Sequence, residues 1–426
     1  MSLGQRIRQL RQTRGLTQSQ LGGEELSKSF ISLLEKDHTQ PSLETIVLLA
    51  RRLGTSVDAL LGQSGHLPEM VGEGLLTLAG EAARSGDRDG QARLLETARF
   101  LAERFGLDEI AREIGLIEAR AALEDRRFED AWNLAAGVRA RCEAAQDFWR
   151  AGRALVVMGW VKVRLREIPA ARPLLEDALL VLRRARAGRD PARVETLIAL
   201  GTTLGYLGDY AGALRRYEEA ARSDVAHHNL SFRGRALWGI ALAHRKLGQL
   251  AAAHEYLLQA KDAFEAAEEL KDLASVLKNL GDLRLEQHQP REALRHFHHA
   301  LRVTERVGNR VTHASTLTEI ARTHLVLGHT QEAAAFAAQA LDEAREVGDP
   351  VEVAEAQVVL ARVSHRREEP RDAIRLYKEA LAAFQARDMR EKAADVARAL
   401  GMLLRDRGAH AQAAEYLAIS LAADRV

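Results

Sequence analysis

The histidines of the C-terminal half are the first candidates for chemistry. His296 and His299 lie three residues apart on one predicted helix face, with His298 beside them. His288 lies in the preceding segment. Imidazoles at this spacing can converge on zinc, but a zinc site needs further ligands and supporting hydrogen bonds. Because no cysteine lies nearby and no H-E-x-x-H motif is present, we expect His296 and His298 to flank a core Phe297 at the surface instead of binding a metal.

The single cysteine is the second candidate. Cys142 follows Arg139 and Arg141, whose positive charges would lower the pKa of its thiol. A lone thiol on a helix is usually structural, so a structural role is favoured and redox sensing is the alternative. One cysteine cannot form an intramolecular disulfide, which fits a reducing compartment.

Motifs for catalysis are missing from the sequence. There is no G-x-x-x-x-G-K-[ST] phosphate loop, no G-x-G-x-x-G between a strand and a helix, and no G-x-S-x-G nucleophile elbow. We therefore expect no enzymatic activity and no cofactor.

Residues 1–62 indicate a different chemistry, because they are predicted to form five short helices. Thr17 caps the segment TQSQL, with Gln20 in a capping-box position, and Ser27 caps SKSFISLLEKD. Ile31 and Leu34 of that segment would face inward. Two short helices joined by a tight turn, the second with small polar residues outward, are typical of a helix-turn-helix.

The charge of this segment is weakly positive. Residues 1–62 carry eight basic and six acidic residues, a net charge of +2, whereas the whole 426-residue chain has a net charge of +1. So small a charge excludes a protein that coats nucleic acid over its whole surface. It also predicts weak non-specific DNA binding, so useful affinity would need two half-sites and hence a homodimer.

The rest of the chain repeats with a period of 40 residues. Small residues recur at three positions of each 40-residue unit, and we call each such position a column. The reference column is an alanine, found at Ala213, Ala253, Ala293, Ala333, Ala373 and Ala413. The other two columns lie twelve residues before and seven residues after this alanine. Glycine occupies the position five residues before it four times, where a turn between two helices is expected. Large residues four positions after the reference would fill the gap to the next unit. Abundant Ala, Leu, Arg and Glu, with only 8 prolines and 5% aromatic residues, also favour an all-α fold.

The N-terminal string GLTQSQL…LSKSFISLLEKDHTQPSLETIVLLARRLG resembles the Cro/phage-repressor (XRE) family of DNA-binding domains. The resemblance implies that Arg11 and Glu35 form a partly buried ion pair. It also implies that Gln18 contacts a phosphate of a double-stranded operator and that the helix after Ser27 enters the major groove. The implied DNA-binding residues are Gln18, Ser27, Lys28, Ser29, Ser32 and Lys36.

Two features depart from that family. Gly22 replaces the usual alanine and is followed by Gly23, which would loosen the second helix. Leu33 occupies an outward position where polar residues are common, so it would either touch a thymine methyl group or pack against another surface.

The repeats resemble tetratricopeptide repeats, although the period is 40 residues and not the usual 34. Long-helix repeats of this type are similar to those of bacterial regulators that sense peptides or other ligands. The resemblance implies a right-handed superhelix of about nine helical hairpins whose first helices line a concave groove. The residues that would face this groove are Arg153, Trp160, Trp238, Lys278, Asn279, Asp282, Arg322, Arg362 and Arg398.

From these observations we expect a helix-turn-helix domain at 1–62, a linker at 63–70 and a repeat domain at 71–426 that senses a ligand and mediates dimerisation. The expected function is that of a transcriptional regulator, similar to peptide-responsive quorum-sensing regulators, with an operator and a peptide or small-molecule effector as partners. The alternative is a repeat scaffold that recruits a protein partner to DNA. Neither a signal peptide nor a membrane span is recognisable, so we expect a cytoplasmic protein without membrane contact.

Overall fold

The computed structural model describes residues 2–23, 25–61, 66–185 and 190–423, and every regular element within them is an α-helix. The expected all-α fold is therefore confirmed. The chain divides into two compact units, residues 1–187 and residues 188–426. Of the described helices, none combines the length and the apolar character needed to cross a membrane.

The first five helices form the small N-terminal bundle that the sequence predicts. Their apolar core contains Ile7, Leu21, Ile31, Leu34 and Leu49, all at most 1% exposed. Serine and threonine caps set the helix starts, because each hydroxyl accepts a hydrogen bond from a main-chain N–H that has no partner within the helix. The helices are α1 (Leu3–Thr13), α2 (Gln18–Gly22), α3 (Lys28–Glu35), α4 (Leu43–Arg52) and α5 (Val57–Leu61).

Nine helical hairpins follow within the described residues, as the repeat predicts. In the first unit they pair α6 (His66–Ser85) with α7 (Arg88–Phe105), α8 (Asp108–Glu124) with α9 (Phe128–Ala144), and α10 (Phe148–Arg164) with α11 (Ile168–Arg184). In the second unit α12 (Pro191–Tyr206) pairs with α13 (Tyr210–Ala221), and the short α14 (Asp224–His228) follows. The remaining pairs are α15 (Leu230–Lys246) with α16 (Leu250–Ala266), α17 (Leu270–Glu286) with α18 (Pro290–Val307), α19 (Arg310–Leu327) with α20 (Thr330–Val347), α21 (Pro350–Arg366) with α22 (Pro370–Gln385), and α23 (Arg390–Asp406) with α24 (His410–Ala423).

The small and large columns of the repeat pack against each other. A Cβ atom added to Gly201 would lie 2.7 Å from the ring of Tyr217, which lies four residues after the reference alanine of the same hairpin. Gly239 of the next hairpin contacts the same ring. The large residue therefore fills the gap to the next unit, as expected, and also the gap within its own hairpin.

The turn between the two helices of a hairpin keeps one backbone conformation whatever residue occupies it. Gly208 has a φ of 82°. His288 lies two repeats later at the same position of the turn and has a φ of 58°. Glu368 has a φ of 61° at this position. Since a left-handed conformation is costly for residues with a Cβ atom, the packing of the hairpins imposes it.

The expected linker at 63–70 is partly wrong, because residues 66–70 belong to α6. Pro68 is the third residue of that helix, where its missing N–H has no intrahelical partner to lose. Residues 62–65 lie outside the described part of the chain. The division between the compact units falls after the third hairpin and not at residue 62, since a repeat array is held by contacts between neighbours and has no single core. The domain limits thus stay a prediction.

Candidate nucleic-acid interface and repeat groove

Helix α3 presents one apolar and one polar face. Ile31 and Leu34 point into the core of the bundle, whereas Lys28, Ser29 and Lys36 are exposed. Ser32 is half-buried at the edge of the polar face. The expected DNA-binding side chains of α3 therefore share one accessible surface.

A buried ion pair fixes α3 to α1. Arg11 Nε donates to Glu35 Oε1 at 2.5 Å, and Arg11 Nη2 donates to Glu35 Oε2 at 3.1 Å, which confirms the expected pair. Arg11 Nη1 also donates to the Leu16 carbonyl at 2.7 Å. Burial opposes ionisation of the Glu35 carboxyl, but the hydrogen bonds from Arg11 and Gln18 outweigh it and lower its pKa.

Two of the expected DNA contacts are already engaged within the protein. Gln18 Nε2 donates to Glu35 Oε2 at 2.9 Å, so a phosphate contact through this amide would have to break that bond. The Ser27 hydroxyl accepts from the main-chain N–H of Phe30 at 3.1 Å and caps α3. Its own O–H can still donate to a base edge.

The sequence did not indicate a second set of contacts at the C-terminal end of α3. Asp37 follows the helix with a φ of 58°, and its carboxylate accepts from the Gly4 N–H at 2.9 Å and from the Ser2 hydroxyl. The hydrogen bond from Ser2, and then that from Gly4, lowers the pKa of Asp37. Gly4 lies so close to the Leu34 carbonyl that no side chain would fit. An acidic residue just after a helix was the one available sign of this contact.

Two expected groove residues lie in the first unit, both on α10. Arg153 Nη1 donates to Glu113 Oε2 at 2.8 Å, and its guanidinium lies 4.7 Å from the centre of the Trp149 ring. Trp160 is half-buried, packs beside Leu155 and Val156, and has the Arg164 guanidinium 5.8 Å from its ring centre. Internal contacts therefore occupy both side chains.

The other expected groove residues lie in the second unit, and the structure brings two of them into direct contact. Lys278 Nζ lies 3.7 Å from Asp282 Oδ2, whereas Asn279 donates to the Ser275 carbonyl of its own helix at 2.8 Å. Arg322 Nη2 donates to Glu355 Oε2 at 2.9 Å. Arg362 is exposed beside Tyr377, and Arg398 Nε donates to the Ser420 hydroxyl at 3.1 Å.

Further charged residues, which the sequence did not single out, extend this group across successive first helices. Arg245 of α15 pairs with Glu286 of α17 at 2.5 Å, and Lys392 of α23 pairs with Glu355 of α21. Glu319 of α19 lies 3.7 Å from Arg322. We call the set Arg245, Lys278, Asp282, Glu286, Glu319, Arg322, Glu352, Glu355 and Lys392 the charge ladder. Its acidic members lie at different offsets from the reference alanines, so the repeat did not indicate them.

Two carboxyl groups of the charge ladder have pKa values above the ordinary range for their residue types. Burial raises the pKa of Asp282 to about 6, although nearby Lys278 opposes the shift. Burial likewise raises the pKa of Glu352 to about 7, again against Lys278. Four buried side-chain nitrogens lack a hydrogen-bond partner among the described residues, and two of them, Trp238 Nε1 and Arg322 Nε, belong to the expected groove residues. The second unit thus contains buried polar groups whose interactions are incomplete.

The histidines differ in part from expectation. His296 and His298 are half-buried instead of lying at the surface, His299 is half-buried as well, and burial lowers the pKa of each. Phe297 between them is in the core, as expected. Within the described residues no three His, Cys, Asp or Glu side chains converge as metal ligands would.

Cys142 has the surroundings of the structural residue that the sequence favours, and the lowered pKa behind the redox alternative is not found. Its side chain is fully buried against Leu116, Val138 and Ala151. Burial raises the pKa of the thiol, and the negative charge of Asp147 adds to the effect. The neighbouring arginines in sequence cannot offset this, so the thiol is an inert core group.

Comparison with known proteins agrees with this geometry. Residues 7–60 match the family model described as helix-turn-helix, and residues 150–224 and 272–346 match the model described as tetratricopeptide repeat. The N-terminal segment is an XRE-type helix-turn-helix domain, and tetratricopeptide repeats follow it. Helix α3 is the second helix of the helix-turn-helix.

The curated relatives match over short segments of the chain. The immunity repressor protein of Bacillus phage phi105 is 39% identical over 74 residues, which are 17% of this chain and 51% of the relative. The HTH-type transcriptional regulator DdrOP3 of Deinococcus deserti is 44% identical over 62 residues, 14% of this chain and 48% of the relative. The chain thus spans about half the length of these relatives.

A solved structure matches most of the chain through its fold. The apo form of the quorum sensor NprR from B. thuringiensis superposes with a TM-score of 0.63 at 13% identity, covering 83% of this chain and 98% of that chain. At this identity the likeness shows the tetratricopeptide fold. It adds no information on individual residues.

Proposed function

We propose that this chain is a cytoplasmic, sequence-specific transcriptional regulator that binds an operator as a homodimer and has no enzymatic activity. The observation that carries the proposal is the way in which the rest of the domain holds α3 in place. Its polar face is exposed, the Ser27 cap sets its start, and the Arg11–Glu35 pair and the Asp37 contacts hold its C-terminal end. A rigid helix with hydroxyl and ammonium groups outward suits the donor and acceptor pattern of a major groove.

The groove of the second unit is the proposed effector site. The orphaned Trp238 Nε1 and Arg322 Nε and the buried carboxyls Asp282 and Glu352 offer hydrogen bonds that a peptide or another small polar ligand can complete. NprR, whose fold this chain shares, is a quorum sensor. A ligand that contacts several successive hairpins would favour one set of angles between them and thereby alter the geometry of the dimer on DNA.

Operator binding by a dimer is tested by selecting tight-binding duplexes from a random pool with the full chain. Binding is then measured on duplexes with one or two copies of the selected half-site. Two half-sites should bind far more tightly than one, and binding should weaken steeply as salt rises. Equal binding of one half-site would contradict the dimer.

Effector sensing is tested by native mass spectrometry of the purified chain with and without candidate peptides. A regulator should bind a small ligand that shifts its operator affinity. A chain that ignores small molecules and captures a protein in a defined stoichiometry would favour the scaffold role instead.

A further inference from the structure

Leu33 is an apolar side chain in the middle of the polar face of α3. It is 46% exposed, whereas Leu34 beside it is 1% exposed and belongs to the core. Ser29 lies one turn before Leu33 on the same helix face, and Lys36 is the capping residue directly after α3. The packing of the helix-turn-helix domain does not account for Leu33.

The structure holds this side chain at a defined place. Its helix is tied to α1 by Glu35, two residues later, and to the start of α1 by Asp37. The main-chain carbonyl of Leu33 itself accepts from the N–H of Lys36 and from that of His38. A leucine on so firmly held a helix loses little further freedom when a partner covers it.

The surroundings of Leu33 indicate the partner. The exposed face of α3 carries Lys28, Ser29, Ser32 and Lys36 and no carboxylate. Two ammonium groups and two hydroxyls are poorly matched to an apolar protein surface but well matched to phosphates and base edges. The one apolar group that a base pair presents in the major groove is the 5-methyl of thymine.

We propose that Leu33 is a specificity-determining residue that selects thymine at one position of each half-site through contact with its 5-methyl group. The inference rests on the proposed function, since it requires α3 to lie in the major groove. The hydroxyl and ammonium groups around Leu33 then contact the polar base edges and the phosphates of the DNA. Leu33 is the residue that distinguishes a methylated pyrimidine.

The test removes the methyl group from the DNA and the leucine from the protein. Each thymine of the selected operator is replaced in turn by uracil, which keeps every hydrogen-bonding group, and affinities are measured for the full-length wild type, Leu33→Ala and Leu180→Ala. Leu180 is the matched control because it is 50% exposed on α11, in the repeats. At one thymine per half-site, uracil should weaken wild-type and Leu180→Ala binding about three- to fivefold. Leu33→Ala should bind the thymine duplex and the uracil duplex with equal affinity.

The inference is overturned if no uracil substitution weakens binding, or if the loss persists in Leu33→Ala. It is also overturned if Leu33→Ala changes the oligomeric state in light scattering, which would place Leu33 in a protein interface. These results leave operator binding itself intact. Failure to select any specific duplex would instead remove the proposed function and the inference together.

Discussion

Arg11 and Glu35 meet through two parallel hydrogen bonds, at 2.5 and 3.1 Å, with 12% and 4% of their side chains exposed. The pair joins α1 to the last turn of α3. Because Glu35 also accepts from Gln18, one carboxylate positions three helices of the helix-turn-helix domain. Neighbouring residues on α3 can therefore face DNA with a fixed orientation.

Removing one partner of this pair should destabilise the helix-turn-helix domain. Arg11→Ala leaves the Glu35 carboxylate buried with Gln18 as its remaining side-chain donor, which costs about 3 kcal/mol. Hydrogen exchange measured by mass spectrometry should become faster in peptides from α1 and α3. The matched control is Arg8→Ala, an exposed arginine on the same helix, which should leave exchange nearly unchanged. Equal protection in both variants would show that the pair does not hold α3.

The two adjacent glycines of α2 should respond oppositely to alanine. A Cβ atom at Gly22 would lie 3.6 Å from Ile31, an ordinary contact, so Gly22→Ala should stabilise the domain by about 0.5–1 kcal/mol through the helix propensity of alanine. Gly23 has a φ of 55° and a Cβ atom there would meet the Arg52 guanidinium, so Gly23→Ala should destabilise it. The stabilities of the two variants are compared by denaturation that is monitored through hydrogen exchange of the α2 amides. Destabilisation by Gly22→Ala would contradict the packing described.

The charge ladder should make the stability of the second unit depend on pH. Asp282 and Glu352 have pKa values of about 6 and about 7, above their ordinary values. At these two sites the folded unit binds protons more tightly than the unfolded chain, so their contribution to its stability is greatest in acid and falls as the pH rises from about 4 to 7. One pKa unit corresponds to about 1.4 kcal/mol, so the melting temperature should shift by several degrees.

Asp282→Asn and Glu352→Gln together should flatten this pH dependence, because their amides resemble the protonated carboxyls. Glu346→Gln is the matched control, since the Glu346 side chain is 60% exposed and pairs with Arg310 at the surface. Melting curves of the three proteins between pH 5 and 8 provide the comparison. A double variant as pH-dependent as the wild type would exclude these carboxyls as the cause.

Local sequence signals predicted the helix-turn-helix domain well. The caps Thr17 and Ser27 act through residues three positions away, so the sequence alone contains both partners. The 40-residue period similarly predicted which columns pack. The linker was placed too long because Pro68 in a first helical turn looks like a loop residue.

Features that depend on burial could not be predicted in the same way. The pKa of Cys142 was misjudged because its sequence neighbours are arginines, whereas its spatial neighbours are apolar. Glu355, which accepts a hydrogen bond from Arg322, lies 33 residues away, so this contact depends on how one hairpin packs on the next. The DNA and groove roles of individual residues stay predictions.

Binding of the selected operator by the full-length wild type and Lys28→Ala, at one fixed salt concentration, tests the central claim most directly. Lys28 is the exposed first residue of α3, and Lys271→Ala on α17 is the matched control for losing one surface lysine. In a mobility-shift assay the wild type and Lys271→Ala should prefer the operator over a shuffled duplex by at least about a thousandfold. Lys28→Ala should bind the operator several-fold more weakly. Operator binding that is unchanged in Lys28→Ala, or no preference over the shuffled duplex, would contradict DNA reading by α3.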